Sequence, residues 1–96
     1  MESMEYIQFD EAQQAEMATA IGAAAHSAEQ FGEALEWFEK AAKAGHSEAM
    51  CNLAYMYHHG QGTDKDELKA AVWLQRAAEL GNPRATQLRR ELQAEK

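Results

Sequence analysis

The sequence predicts an all-α protein, a short α-solenoid of two antiparallel helix hairpins plus a C-terminal capping helix. Three observations carry that prediction. The 96 residues hold one Pro and are rich in Ala, Glu, Gln, Leu and Lys, which favour helix over strand. A block of residues recurs at a fixed spacing: Trp37 returns as Trp73, Ala41 and Ala42 as Ala77 and Ala78, Gly45 as Gly81, and Ala49 as Ala85, each pair 36 positions apart. The apolar residues inside each block recur at helical, not strand, spacing.

Each element follows from local signals. Asp10 caps a first helix over about residues 11–27, with Gln13 in the reciprocal capping position. A second helix over about 30–44 places Ala34, Leu35, Phe38, Ala41 and Ala42 on one face, and Gly45 then supplies the left-handed residue that ends it. Ser47 caps a third helix that ends near His59, and residues 60–65 form the one long loop. Asp64 or Asp66 starts a fourth helix, ending near Leu80, whose face of Ala70, Ala71, Leu74, Ala77 and Ala78 repeats the second helix one period later. Asn82 caps a fifth helix over about 83–94, with Pro83 at its first position. Paired alanines allow close approach of a neighbouring helix, while Phe38 and Leu74 fill the remaining volume. Short connections make consecutive helices antiparallel, and such hairpins stack.

A chain of this length forms one domain with one modest core. Residues 1–10 read as a cap or flexible arm, with Tyr6, Ile7 and Phe9 folding back on the stack. Residues 11–96 form the repeat domain, divided into hairpins over 11–45 and 46–81 and a capping helix over 82–96. Two hairpins are fewer than a repeat stack usually needs, which favours association of two chains.

Charge is lopsided. Residues 1–39 carry nine acids and no Lys or Arg, and residues 40–96 carry all nine bases against seven acids. The net charge of −7 argues against a partner bound through phosphates, so no nucleic acid is expected. The acidic half would instead steer a basic partner. The N-terminus lacks the basic and apolar regions of a secretory signal, and the longest apolar stretch, 18–25, is too short to span a bilayer. With a single cysteine, Cys51, these features point to the cytoplasm.

The stretch Ala49 to Tyr57, then Gly60, Gly62, Asp66, Lys69, Ala70, Trp73, Arg76 and Ala78, resembles a Sel-one-like repeat. The earlier residues Ala18, Ile21, Gly22, Ala25, Phe31, Ala34, Phe38 and Ala41 resemble a tetratricopeptide repeat. The resemblance covers about residues 12–85. It implies a right-handed superhelical stack that binds protein or peptide, with the first helix of each hairpin lining a concave groove. By that resemblance the groove residues are Glu16, Thr19, Ala23 and His26, then Glu48, Cys51, Tyr55 and His58, then Arg84 and Gln87. Tyr55 is the natural anchor, because a rigid amphipathic ring offers large contact area at small entropic cost. The Lys and Asn clamp of carboxylate-binding tetratricopeptide domains has no match at these positions.

Nothing in the sequence assembles catalytic chemistry. His58 and His59 are adjacent, and neighbouring helix residues point about 100° apart, unlike an i, i+4 metal-binding pair. Cys51 and His58 are two turns apart, about 10.5 Å along the axis and too far for direct proton transfer. No phosphate loop, nucleophile elbow or zinc-protease motif is present, and neither a metal nor a cofactor is called for. Recurrence at the repeat period marks Trp37 and Trp73 as packing residues rather than ligand platforms, so Trp37→Ala would cost about 3–5 kcal/mol if the ring is buried. The sequence therefore reads as a non-catalytic protein- or peptide-binding scaffold. Its alternatives are a small acidic inhibitor of a basic partner and a metal-dependent enzyme.

Overall fold

A computed structural model describes residues 8–95. Five helices follow in order: α1 (Glu11–Ser27), α2 (Phe31–Lys43), α3 (Ser47–His59), α4 (Glu67–Glu79) and α5 (Pro83–Ala94), with no strand among the described residues. Each helix packs on its neighbour in the chain, and α3 also packs on α5. The all-α stack expected from the sequence is the observed fold. Tyr6 and Ile7 lie outside the described residues, while Phe9 is exposed and does not cap the stack.

Local chemistry sets the boundaries. Asp10 and Gln13 form a reciprocal capping box, the Asp10 carboxylate accepting from the Gln13 N–H at 2.7 Å and the Gln13 amide oxygen accepting from the Asp10 N–H at 3.0 Å. Asp66, not Asp64, caps α4 by accepting from the Lys69 N–H at 3.0 Å. Asn82 caps α5 through the Arg84 N–H, and Pro83 opens the helix where no N–H is needed. Ser47 differs from expectation. It is the first residue of α3, the cap position is His46, and the Ser47 hydroxyl instead accepts from the Asn82 side chain at 2.8 Å, tying the starts of α3 and α5.

The ends of α2 and α4 share one device. Gly45 (φ 95°) and Gly81 (φ 85°) take left-handed conformations. The N–H groups of His46 and Asn82 then reach back to the carbonyls of Ala41 and Ala77. The same pattern closes α1, where Gln30 N–H bonds to the Ala25 carbonyl, but the left-handed residue there is Glu29, at φ 61°. A side chain in this conformation carries a strain that glycine does not. Glu29→Gly should therefore stabilise the fold by about 0.5–1 kcal/mol, read as a higher urea midpoint at unchanged slope. A lower midpoint would show that Glu29 contributes more than backbone strain.

The core contains the small residues of the repeat: Ala34, Ala41, Ala42, Ala49, Ala70, Ala77 and Ala85 are all buried, with Phe38, Leu53, Met56 and Leu74 between them. Two positions depart from the expected face of α4. Ala71 is exposed, because it lines an open cleft between α4 and α5 rather than a closed seam, and Ala78 is half-buried. Trp37 and Trp73 are half-buried, each packed on the core by one side. Their outer faces are covered by cations: Lys40 Nζ lies 5.4 Å from the Trp37 ring and Arg76 Cζ 5.0 Å from the Trp73 ring. The cation thus recurs with the tryptophan, and the Trp37→Ala cost falls below that of a fully buried ring.

Polar groups bolt the layers together. Thr19 Oγ1 donates to the Ala15 carbonyl at 2.8 Å, so its contact with His46 Nδ1 at 2.7 Å requires the imidazole to donate. His26 Nε2 meets Gln61 Oε1 at 2.7 Å, joining the end of α1 to the loop after α3. The Tyr57 hydroxyl donates to Glu39 Oε2 at 2.9 Å. Burial, aided by that hydrogen bond, pushes the Tyr57 pKa up to about 12.

Candidate functional site

The first-helix layer of α1, α3 and α5 carries a cleft of about 250 Å³, lined by Ala23, His26, Ser27, Phe38, Asn52, Tyr55 and Arg84. Four of the groove residues expected from the sequence, Ala23, His26, Tyr55 and Arg84, meet there. Phe38 reaches it from α2 and forms part of its apolar lining.

Tyr55 sits at the centre of an aromatic chain. Its ring lies 6.1 Å from His26, edge on, and 4.1 Å from His59, and His26 in turn lies 5.1 Å from Phe31. Half-buried and held on both sides, Tyr55 is preorganised, so little rotamer freedom remains to be lost on contact. Across the cleft, Arg84 Nη1 donates to Asn52 Oδ1 at 2.9 Å and pairs with Glu48 at 3.3 Å. The fork is therefore anchored at one end and leaves further donors for a ligand acceptor.

The remaining expected residues fall elsewhere. Glu16 and Gln87 are exposed but do not line the cleft, and Glu48 stands behind it as the partner of Arg84. Three are corrections. Cys51 is fully buried and presents no surface to a ligand. Burial pushes its thiol pKa up against the pull of Arg84, the opposite of what a nucleophile needs. Thr19 is buried and spends its hydroxyl on Ala15 and His46. His58 is buried beside the other cleft, between α4 and α5. Cys51 and His58 share one reason: α3 packs against α2, α4 and α5, so its Cys51–Tyr55–His58 stripe is covered at both ends and open only at Tyr55.

Asn52 and the Arg84–Glu48 pair were missed as a unit, although a signal existed. The repeat places residue n of α3 beside residue n + 36 of α5, so Glu48 meets Arg84 and His59 meets Glu95. Complementary groups at the repeat offset could be sought as readily as identical ones.

His58 and His59 also behave unlike the expectation drawn from their adjacency. Both Nε2 atoms reach one oxygen, Glu95 Oε1, at 3.3 and 2.9 Å. The 100° between their Cα–Cβ directions is made up by χ rotation about the end of α3. His58 Nδ1 also contacts Glu67 Oε1 at 2.7 Å, and this hydrogen bond holds the Glu67 carboxyl below the usual carboxylate range.

Stacked helix hairpins with an open cleft on their first-helix layer define a helical-repeat protein. The Sel1 repeat model matches residues 28–46 and 47–82, more than half of the chain, and the chain belongs to the Sel1 repeat family. Sel1 repeats generally mediate protein–protein interaction. Among curated proteins the chain is similar to the chitin synthase regulator SKT5 of Saccharomyces cerevisiae, with 40% identity over 53 residues. That match spans 55% of this chain and 8% of the yeast protein. No helix among the described residues is long and apolar enough to cross a membrane.

Proposed function

We propose that this chain is a non-catalytic scaffold that holds a protein segment or peptide in the cleft between α1, α3 and α5. The observation that carries the reading is Tyr55, clamped between His26 and His59 in a cleft that Arg84 also lines. A rigid aromatic anchor beside a partly committed guanidinium matches the pattern of interface hot spots. The acidic α1–α2 half supports a partner with a basic flank, drawn in by long-range attraction. A cytoplasmic setting belongs to the same reading, supported by the lone reduced Cys51.

Affinity capture from native lysate with wild type and Tyr55→Ala in parallel tests it. Half-burial makes Tyr55→Ala tolerable for folding, which a melting curve checks. Specific partners should be lost or reduced at least about tenfold with the variant, since hot-spot truncations cost ~2 kcal/mol or more. Their association rate should fall with added salt. Partners retained equally by both proteins would place recognition on another face.

Self-association of two chains remains part of the proposal. It is supported by Leu68, Val72 and Leu80, large apolar residues exposed on and just beyond α4. Light scattering at high micromolar concentration should then give the mass of two chains. A single-chain mass would end that part alone.

A further inference from the structure

The junction of α3, α4 and α5 presents a second arrangement that the cleft does not use. His58 Nε2, His59 Nε2 and a Glu95 carboxylate oxygen converge, with the ligand atoms of the three residues all within 4.8 Å of one another. The outward nitrogens are fixed by acceptors: His58 Nδ1 lies 2.7 Å from Glu67 Oε1, and His59 Nδ1 lies 2.9 Å from the Tyr55 carbonyl. A carboxylate and a carbonyl can only accept, so both Nδ1 atoms carry protons. A neutral imidazole protonated at Nδ1 bears a lone pair at Nε2. In that tautomer two lone pairs and one carboxylate oxygen are aimed at a common point, where a cation would satisfy all three.

We propose that this cluster is a binding site for a zinc-class divalent cation, with His58, His59 and Glu95 as ligands and one position open to solvent. Two imidazoles and a carboxylate suit borderline transition metals rather than Mg²⁺ or Ca²⁺, which prefer oxygen alone. Tetrahedral bonds of about 2.0–2.2 Å place ligand atoms about 3.3 Å apart, close to the 2.9 and 3.3 Å that separate Glu95 Oε1 from the two nitrogens. The outer partners are those metal-bound histidines commonly have, a carboxylate on one ring and a backbone carbonyl on the other. His58 is buried, while His59 and Glu95 are open enough to admit an ion. Occupied, the site would staple the last helix of the stack to the end of α3. It would also fix the His59 ring on which Tyr55 rests, so the cation would stiffen one wall of the cleft.

Tag-free, chelator-treated full-length protein titrated with Zn²⁺ by calorimetry, and with Co²⁺ by visible absorption, tests the site. Wild type should bind one ion per chain and melt at a higher temperature with Zn²⁺ present. Glu95→Ala, at the exposed end of α5, should keep the metal-free melting temperature and lose the Zn²⁺-dependent rise. Glu67→Ala should weaken Zn²⁺ about tenfold or more while the ligands stay in place, as loss of an outer partner does. The absence of Zn²⁺ binding by wild type would overturn the proposal and leave the cluster as hydrogen bonds that join the end of α3 to Glu67 and Glu95. Undiminished binding in Glu95→Ala would overturn it as well.

Discussion

Gly62→Ala should destabilise the fold by about 2–5 kcal/mol, which places it among the most damaging single-methyl additions available to this chain. Two costs add. Gly62 is left-handed at φ 76°, a conformation that costs an L residue about 1–2 kcal/mol. A Cβ there would also stand 2.6 Å from the Phe31 carbonyl oxygen and 2.7 Å from its carbon, where backbone must move, an overpacking cost of about 1–3 kcal/mol. The second glycine of the Gly60–Gly62 loop thus lets the loop of one hairpin lie directly on the start of α2. Gly45→Ala is the control: Gly45 is also left-handed, at φ 95°, but its Cβ would meet nothing within 4 Å. Urea unfolding should show a clearly larger loss for Gly62→Ala than for Gly45→Ala. Equal losses would mean that the loop does not seat on α2.

Phe38→Ala should cost about 3–5 kcal/mol, a large share of the ~5–15 kcal/mol that stabilises an ordinary domain. Phe38 is among the largest fully buried side chains, and its ring lies against the backbone of Gly22 in α1. A Cβ on Gly22 would stand 2.7 Å from Phe38 Cε1, so glycine at 22 exists here to admit the ring. The two positions should therefore be coupled. Gly22→Ala destabilises the wild type but should be close to neutral, or stabilising, beside Phe38→Ala, where the methyl fills part of the cavity. Additive losses in this double-mutant cycle would contradict the packing of α1 on α2. Since Phe38 also lines the cleft, the same ring joins stability to the proposed binding surface.

The parts legible in the sequence were those written in local signals. Asp10 with Gln13, Asn82 with Pro83, and Gly45 and Gly81 each fix a helix end through nearby backbone, and each stands where expected. The end of α1 also stands where expected, at Ser27, although Glu29 just beyond it holds a conformation that glycine normally advertises. Tyr55, His26, Ala23 and Arg84 were placed together because stacked first helices share a face. Cys51 and His58 were misplaced because helical periodicity says which residues share a stripe, but not how many neighbours cover it. The convergence of His58, His59 and Glu95 was hidden for another reason. It depends on side-chain rotation and on the register of α5 against α3, neither of which adjacency in the chain reveals.

Amide hydrogen exchange of this chain with and without a captured partner tests recognition by the first-helix layer most directly. Protection should appear in segments around Ala23 to His26, Asn52 to Tyr55 and the start of α5 at Arg84, with the Trp37–Lys40 and Trp73–Arg76 surfaces unchanged. Protection centred on those tryptophan surfaces, with the Tyr55 segment exchanging as in the free protein, would contradict it.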